Sequence, residues 1–135
     1  MEDAEAAVLF DVTGTGVLYA KNAYETLHPA SLTKVMTALV ALKYGKLDQT
    51  LTATSAVNIT ESGAQLCGLK AGDTMTLDQA LRILLVYSAN DVAMLIAEGV
   101  GGSVEQFVQM MNDEARSIGA TNTNFANPHG LTDAN

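Results

Sequence analysis

Two short apolar segments near the start of the chain predict a β-hairpin. Residues 6–12 and 16–21 are mostly apolar, and the Thr-Gly-Thr-Gly sequence at residues 13–16 that connects them is typical of a tight turn. A further short extended segment is predicted at residues 51–54. The predicted strands are few and short, so the sheet part of the molecule is small.

Apolar positions at helical spacing dominate the rest of the chain. The predicted helices span residues 31–44, 76–86, 90–98 and 103–118. Thr76 with Gln79, and Ser103 with Gln106, have the spacing of capping boxes, which predicts where the second and fourth helices begin. The first helix is apolar nearly all round, so we expect it to be buried on most of its faces.

The composition narrows the choice of function. The chain has 135 residues, of which 48% are hydrophobic and 16% are charged, so we expect one globular unit. Its formal net charge of -8 disfavours nucleic acid and anionic membranes as partners. With two histidines and one cysteine, we expect no metal site, no cofactor and no intrachain disulfide. We expect Cys67 to pack as a small apolar residue.

The Ser-Leu-Thr-Lys sequence at residues 31–34 carries the first candidate chemistry. A hydroxyl and an amine three residues apart lie on one face of a helix, one turn from each other. A serine hydroxyl becomes a good nucleophile only when a base lies within hydrogen-bond reach, and a neutral lysine amine is such a base. The alternative interpretation is a helix N-cap at Ser31 with a solvated Lys34.

Four segments, taken in their order along the chain, have a joint resemblance. They are the apolar hairpin at residues 8–22, Pro-Ala-Ser-Leu-Thr-Lys-Val-Met-Thr-Ala at residues 29–38, Tyr-Ser-Ala-Asn-Asp at residues 87–91 and Asn-Pro-His-Gly-Leu at residues 127–131. Together they resemble the serine-type D-alanyl-D-alanine carboxypeptidases, the low-molecular-mass penicillin-binding proteins. The resemblance implies an α+β fold of the β-lactamase/penicillin-binding-protein type, in which an antiparallel sheet is flanked by helices and carries a helical insert.

The same resemblance implies roles for individual residues. Ser31 would be the nucleophile and Lys34 its base, Ser88 would relay a proton, and Asn90 would bind the substrate amide and Lys34. For Ser88 the alternative is a polar residue in a break between helices, and for Asn90 it is a helix N-cap. His129 could be a base, although Asn-Pro-His-Gly is first of all typical of a shaped turn.

The third motif of the family, Lys-Thr-Gly, does not occur in the 135 residues. The resemblance therefore implies that residues 1–135 are the N-terminal part of a catalytic domain, with an incomplete fold and little activity alone. We expect this chain to self-associate or to pair with a C-terminal half. The resemblance also implies that Lys34 lacks the neighbouring lysine of that motif and is opened to water, and we expect both changes to make it more basic than in a complete domain.

The resemblance implies a hydrolase that cleaves peptidoglycan stem peptides through an acyl-enzyme and is acylated by β-lactams. It would act outside the cytoplasmic membrane, although residues 1–5 contain no secretory signal. A serine β-lactamase or esterase of the same fold, and an inactive folding fragment, are the alternatives that the sequence leaves open.

Overall fold

The computed structural model describes residues 3–132. Asn135, where the sequence ends, lies outside these residues. Residues 1 and 2, which belong to the segment 1–5 without a secretory signal, also lie outside them. The strands are β1 (Ala7–Asp11), β2 (Gly16–Lys21), β3 (Thr50–Thr52) and β4 (Thr74–Thr76), and the helices are α1 (Thr33–Tyr44), α2 (Leu77–Tyr87), α3 (Asn90–Gly101) and α4 (Val104–Ser117). Short 3-10 turns occupy Ala30–Leu32 and Ser55–Val57.

Strands β1 and β2 form the predicted antiparallel hairpin. Its register shifts between Leu9 and Phe10, which marks a bulge in the ladder. The connecting turn is fixed by Asp11, whose Oδ1 accepts hydrogen bonds from the backbone N–H of Thr13 at 2.9 Å and from its hydroxyl at 2.7 Å. Large apolar side chains remain exposed on both strands: Val8, Leu9, Phe10, Val17, Leu18 and Tyr19.

The four helices form a cluster with α3 at its centre. Helix α3 packs against the other three helices, and most of its side chains are buried. A second two-stranded sheet, β3 with β4, lies against this cluster and adds Leu51 to the core. Burying one Leu, Ile or Phe side chain contributes about 1.5–3 kcal/mol, so this cluster holds most of the chain's hydrophobic stabilisation.

Helix α1 differs from the sequence-based expectation. Its outward face remains uncovered within the described residues, with Val35 62% exposed and Leu42 56% exposed. The inward face instead buries polar residues, among them Lys34 and Thr37. The prediction that α1 is buried on most faces is therefore wrong, because this helix turns a partly polar face toward the other helices.

Two helix boundaries differ from the prediction by more than one residue. Residues 30–32 form a 3-10 turn, so α1 begins at Thr33 rather than at Ser31. Helix α3 continues past Gly99, where we predicted its end, to Gly101. A Cβ at Gly99 would lie 2.4 Å from the Leu51 side chain, so this glycine permits close packing of β3 on α3 and does not end the helix.

Within residues 3–132, no helix combines the length and the apolar character needed to cross a lipid bilayer.

Candidate active site

Ser31 lies in the 3-10 turn that leads into α1. The preceding residue, Ala30, has φ +48°, an uncommon conformation for a residue with a side chain. The turn is closed by a hydrogen bond from the N–H of Leu32 to the carbonyl of Pro29 at 3.1 Å. Ser31 is an exposed residue at the start of the helix.

Lys34 lies one turn further along and connects three parts of the chain. Its Nζ is 3.1 Å from Ser31 Oγ, 2.7 Å from Asn90 Oδ1 and 2.7 Å from the carbonyl oxygen of His129. Carbonyl oxygens only accept hydrogen bonds, so two N–H groups of Lys34 point to Asn90 and His129. The remaining tetrahedral position of the amine faces Ser31. In the neutral amine that position holds the lone pair, which is then directed at the serine hydroxyl.

Burial favours the neutral form of this amine. Lys34 is 2% exposed, and the loss of hydration lowers its pKa below the usual value of 10.5. The expectation that the amine is opened to water in this chain is therefore wrong, because the 127–131 segment and α3 cover it. The interpretation of Lys34 as a solvated lysine is excluded for the same reason.

Asn90 is the first residue of α3, and its side-chain amide is held on both sides. Its backbone N–H and its Nδ2 both donate to the carbonyl of Gln65, at 2.9 and 3.1 Å. The amide nitrogen therefore faces Gln65, which leaves Oδ1 to accept from Lys34. The alternative interpretation of Asn90 as the N-cap is wrong, since Ala89 occupies that position without a side-chain hydrogen bond.

Ser88 lies in the break between α2 and α3, as predicted. It ends α2 with φ +58° and ψ +35°, and this left-handed residue turns the chain so that Asn90 faces α1 two positions later. Within the described residues the Ser88 hydroxyl makes no hydrogen bond. The structure thus joins Ser31, Lys34 and Asn90 directly, whereas Ser88 has no hydrogen bond to the amine of Lys34.

The Asn-Pro-His-Gly segment forms the shaped turn that its sequence indicates. Asn127 Oδ1 accepts the N–H groups of His129 and Gly130, at 3.2 and 2.7 Å. The turn is attached to α1 through the carbonyl of Pro128, which accepts the Thr37 hydroxyl at 2.6 Å. The contribution of His129 to the site is its backbone carbonyl, while Nδ1 of its ring accepts the N–H of Leu131 at 3.1 Å.

Gly130 brings this turn against the nucleophile segment. It has φ +87°, and a Cβ at this position would lie 1.9 Å from the carbonyl oxygen of Ala30. No side chain fits there. The turn can therefore approach the residue before Ser31 only because position 130 is glycine.

Several site residues were not predicted from the sequence: Thr37, Gln65 and Asp91. For His129 the sequence indicated the ring as a possible base, whereas the structure uses its backbone carbonyl. Thr37 and Asp91 are polar residues at otherwise apolar helix positions, which was the available signal; a backbone carbonyl such as that of Gln65 gives none. Cys67 is exposed in a loop, so the prediction that it packs in the core is wrong.

Among residues 3–132, no group of three or more His, Cys, Asp or Glu side chains is arranged to hold a metal ion.

Comparisons with known proteins agree on one family. A family model described as D-alanyl-D-alanine carboxypeptidase matches residues 2–135. The chain is 38% identical over 134 residues to D-alanyl-D-alanine carboxypeptidase DacF of Bacillus subtilis, which covers 97% of this chain and 34% of that protein. It thus spans about a third of the length of the curated relatives that it matches.

Solved structures confirm the expected fold. The D-alanyl-D-alanine carboxypeptidase of Mycobacterium tuberculosis superimposes with a TM-score of 0.87 at 34% identity, over 97% of this chain and 48% of that one. A penicillin-binding protein of Listeria monocytogenes with cefotaxime bound gives a TM-score of 0.81 at 26% identity, over 97% of this chain and 54% of that one. The helices and small antiparallel sheets described above therefore form part of a penicillin-binding-protein fold.

Proposed function

The chain belongs to the D-alanyl-D-alanine carboxypeptidase family, and from that premise we propose that Ser31 is the nucleophile of a serine-type carboxypeptidase acting on peptidoglycan stem peptides. The observation that carries the proposal is the position of Lys34 Nζ, 3.1 Å from Ser31 Oγ and fixed by two carbonyl oxygens on its other side. Such an amine is directed at the hydroxyl that it has to deprotonate.

The reaction consists of two acyl transfers. Ser31 Oγ bonds to the carbonyl carbon between the two terminal D-alanines while Lys34 takes the hydroxyl proton. The C–N bond then breaks, and the leaving D-alanine amine receives that proton through the Ser88 hydroxyl. Water attacks the resulting ester and releases the shortened peptide, which restores Ser31.

Asn90 and the start of α1 supply the polar contacts for these steps. The amide of Asn90 orients Lys34 and hydrogen-bonds the substrate amide. The backbone N–H of Ser31 donates to the oxyanion that develops on the substrate carbonyl, where the positive end of the α1 dipole favours negative charge.

The Lys-Thr-Gly motif that would supply further substrate contacts does not occur in the 135 residues. Our proposal for the domain is that this chain forms its N-terminal part and has little carboxypeptidase activity alone. Losing one oxyanion donor typically raises the barrier by about 2.7–4 kcal/mol. The exposed apolar face of α1 and the hairpin are where we expect a C-terminal half, or a second copy of this chain, to pack.

Two further properties belong to the same proposal. We propose that β-lactams acylate Ser31, in support of which the related Listeria monocytogenes protein has been solved with cefotaxime bound. We also propose that the protein acts outside the cytoplasmic membrane, where peptidoglycan stem peptides are found.

Mass spectrometry after incubation with benzylpenicillin tests the proposal. We expect a long-lived adduct on the peptide that contains Ser31, absent in Ser31→Ala and present in Ser55→Ala, a matched change at another exposed serine. A short-lived adduct with rapid penicillin turnover would instead identify a β-lactamase. The absence of any adduct would contradict the proposed nucleophile and favour an inactive folding fragment.

A further inference from the structure

The Asn90–Asp91 dipeptide at the start of α3 holds a loop beside the candidate site. We call residues 65–69 the 65–69 loop. Asn90 donates twice to the carbonyl of Gln65 at one end of this loop. Asp91 accepts three consecutive backbone N–H groups at the other end: Cys67 at 2.9 Å, Gly68 at 2.8 Å and Leu69 at 3.0 Å.

The Asp91 carboxylate is buried without a cation. It is 1% exposed, and no Lys, Arg or His of the described residues forms an ion pair with it. Its charge is compensated by the three loop N–H groups and by the N–H of Val92 at 3.0 Å. Hydrogen bonds to a charged acceptor are about twice as strong as neutral ones, so this carboxylate is a strong anchor for the loop.

The conformation of the loop fits this anion. Gly68 has φ +88°, and a left-handed residue between two others lets successive N–H groups converge on one acceptor. A Cβ at Gly68 would meet no atom of residues 3–132 within 4 Å. The glycine is therefore explained by its backbone conformation, which the carboxylate requires, and not by lack of space.

Gln65 connects this anchor to the base. Its carbonyl determines which way the Asn90 amide faces, because it accepts from Nδ2 and so leaves Oδ1 for Lys34. If Gln65 moves away, the Asn90 amide is free to turn about its side-chain torsion. Its Nδ2 donor would then face the amine of Lys34 in place of the Oδ1 acceptor.

We propose that Asp91 is a positioning residue, whose carboxylate fixes the 65–69 loop so that the Gln65 carbonyl holds Asn90 with its oxygen toward Lys34. This inference rests on the proposed function of Ser31 and Lys34. A competing role is purely local: a carboxylate in the first turn of α3 also stabilises that helix through its dipole. In that case a change in the 65–69 loop would not alter the orientation of the Asn90 side-chain amide.

The two roles are separated by NMR of the Asn90 side-chain amide and by hydrogen exchange in the whole chain, neither of which depends on activity. In Asp91→Asn we expect the amides of Cys67, Gly68 and Leu69 to lose roughly ten- to a hundredfold of their protection. We also expect the Asn90 Nδ2 resonance to shift and its exchange to accelerate by a similar factor.

A second variant keeps the proposal testable if Asp91→Asn does not fold. Gly68→Ala leaves the carboxylate in place and strains only the loop. Gly63→Ala is its matched control, because Gly63 has φ +81° and equally open space around it, and is not among the residues whose N–H groups Asp91 accepts. We expect Gly68→Ala to move the Asn90 Nδ2 resonance and Gly63→Ala to leave it unchanged. An unchanged Asn90 resonance in Gly68→Ala, or in a folded Asp91→Asn with deprotected loop amides, would overturn the proposal.

Discussion

Phe107 and Phe10 have the same side chain in opposite surroundings. Phe107 lies in α4 and is 0% exposed within the helical cluster, whereas Phe10 lies in the hairpin and is 51% exposed. The difference extends to their neighbours. The cluster buries side chains from all four helices, while the large apolar side chains of the hairpin face solvent on both strands within the described residues.

The candidate site is held in place by the covered region of the molecule and not by the hairpin. The contacts that hold Lys34 come from α3 and from the 127–131 turn, both of which belong to the covered region. The hairpin supplies none of them. The geometry of Ser31, Lys34 and Asn90 therefore depends on the cluster, and the uncovered hairpin and outer face of α1 are available for association.

The largest expected effect distinguishes the two phenylalanines. Phe107→Ala should lower the free energy of unfolding by about 3–5 kcal/mol, because it removes a fully buried ring and leaves a cavity. Phe10→Ala should change it by less than about 1 kcal/mol, since half of that ring is already in water. Urea unfolding followed by circular dichroism measures both. Equal losses would show that the hairpin is covered in solution.

Two glycines with the same backbone φ lie in different surroundings. Gly130 and Gly119 both have φ +87°, but a Cβ meets the Ala30 carbonyl at position 130 and open space at position 119. Both changes to alanine carry the strain of a left-handed residue, about 1–2 kcal/mol. Gly130→Ala should lose about 1–3 kcal/mol more through overpacking. Thermal unfolding of the two variants measures both losses of stability. Indistinguishable losses would mean that the 127–131 turn does not pack closely against Ala30.

The two lysines of α1, Lys34 and Lys43, should change the free energy of unfolding in opposite directions as the pH rises. Burial lowers the pKa of Lys34, so the unfolded chain binds more protons between that lowered pKa and 10.5. The free energy of unfolding therefore rises with pH in this window, by at most about 1.4 kcal/mol per pH unit. The hydrogen bond to Glu114 raises the pKa of Lys43, so its contribution is lost as the pH rises above 10.5.

Chemical unfolding of Lys34→Met and Lys43→Met across this pH range tests the pair. Lys34→Met should remove the rise below pH 10.5, and Lys43→Met should leave that rise in place. If the free energy of unfolding still rises with pH in Lys34→Met, the rise does not come from Lys34, and burial does not keep the Lys34 amine neutral in the folded chain.

The smallest effect on stability is expected at the uncovered surface. Leu18→Lys in the hairpin should change the free energy of unfolding by no more than about 0.5 kcal/mol, because the side chain is exposed. If copies of the chain associate through this surface, the same change should shift the sedimentation profile toward monomer. The matched change Ile118→Lys, at an exposed residue after α4, should not. A wild-type chain that sediments as a monomer at high concentration would refute self-association.

Much of the fold was predictable because its signals are local. The hairpin follows from two apolar segments around a Thr-Gly turn, and the Thr76–Gln79 capping box is present as predicted. At Ser103 only half of the predicted box is observed, since its hydroxyl accepts from the N–H of Gln106. The pairing of β3 with β4 was missed, because it joins three-residue segments that are far apart in sequence and have no periodicity of their own.

The site was predictable as far as side-chain chemistry identifies it. The spacing of Ser31 and Lys34 indicated the pair, and the contact of Asn90 with Lys34 that the resemblance implied is present as a hydrogen bond. The carbonyls of His129 and Gln65 were not predictable, since every residue has one and only the tertiary fold selects which of them faces an amine. The exposed face of α1 does not follow from the composition of this helix, because apolar composition indicates what a helix tends to bury and not what is present to cover it.

The rate at which benzylpenicillin acylates Ser31, measured by mass spectrometry over a range of pH, tests most directly whether Lys34 is the base. In the unmodified chain and in Lys43→Met, we expect a slow acylation whose rate rises with pH through the lowered pKa of Lys34. In Lys34→Met that rise should be lost. Acylation of Ser31 with the same rate and the same pH dependence in Lys34→Met and Lys43→Met would contradict the assignment.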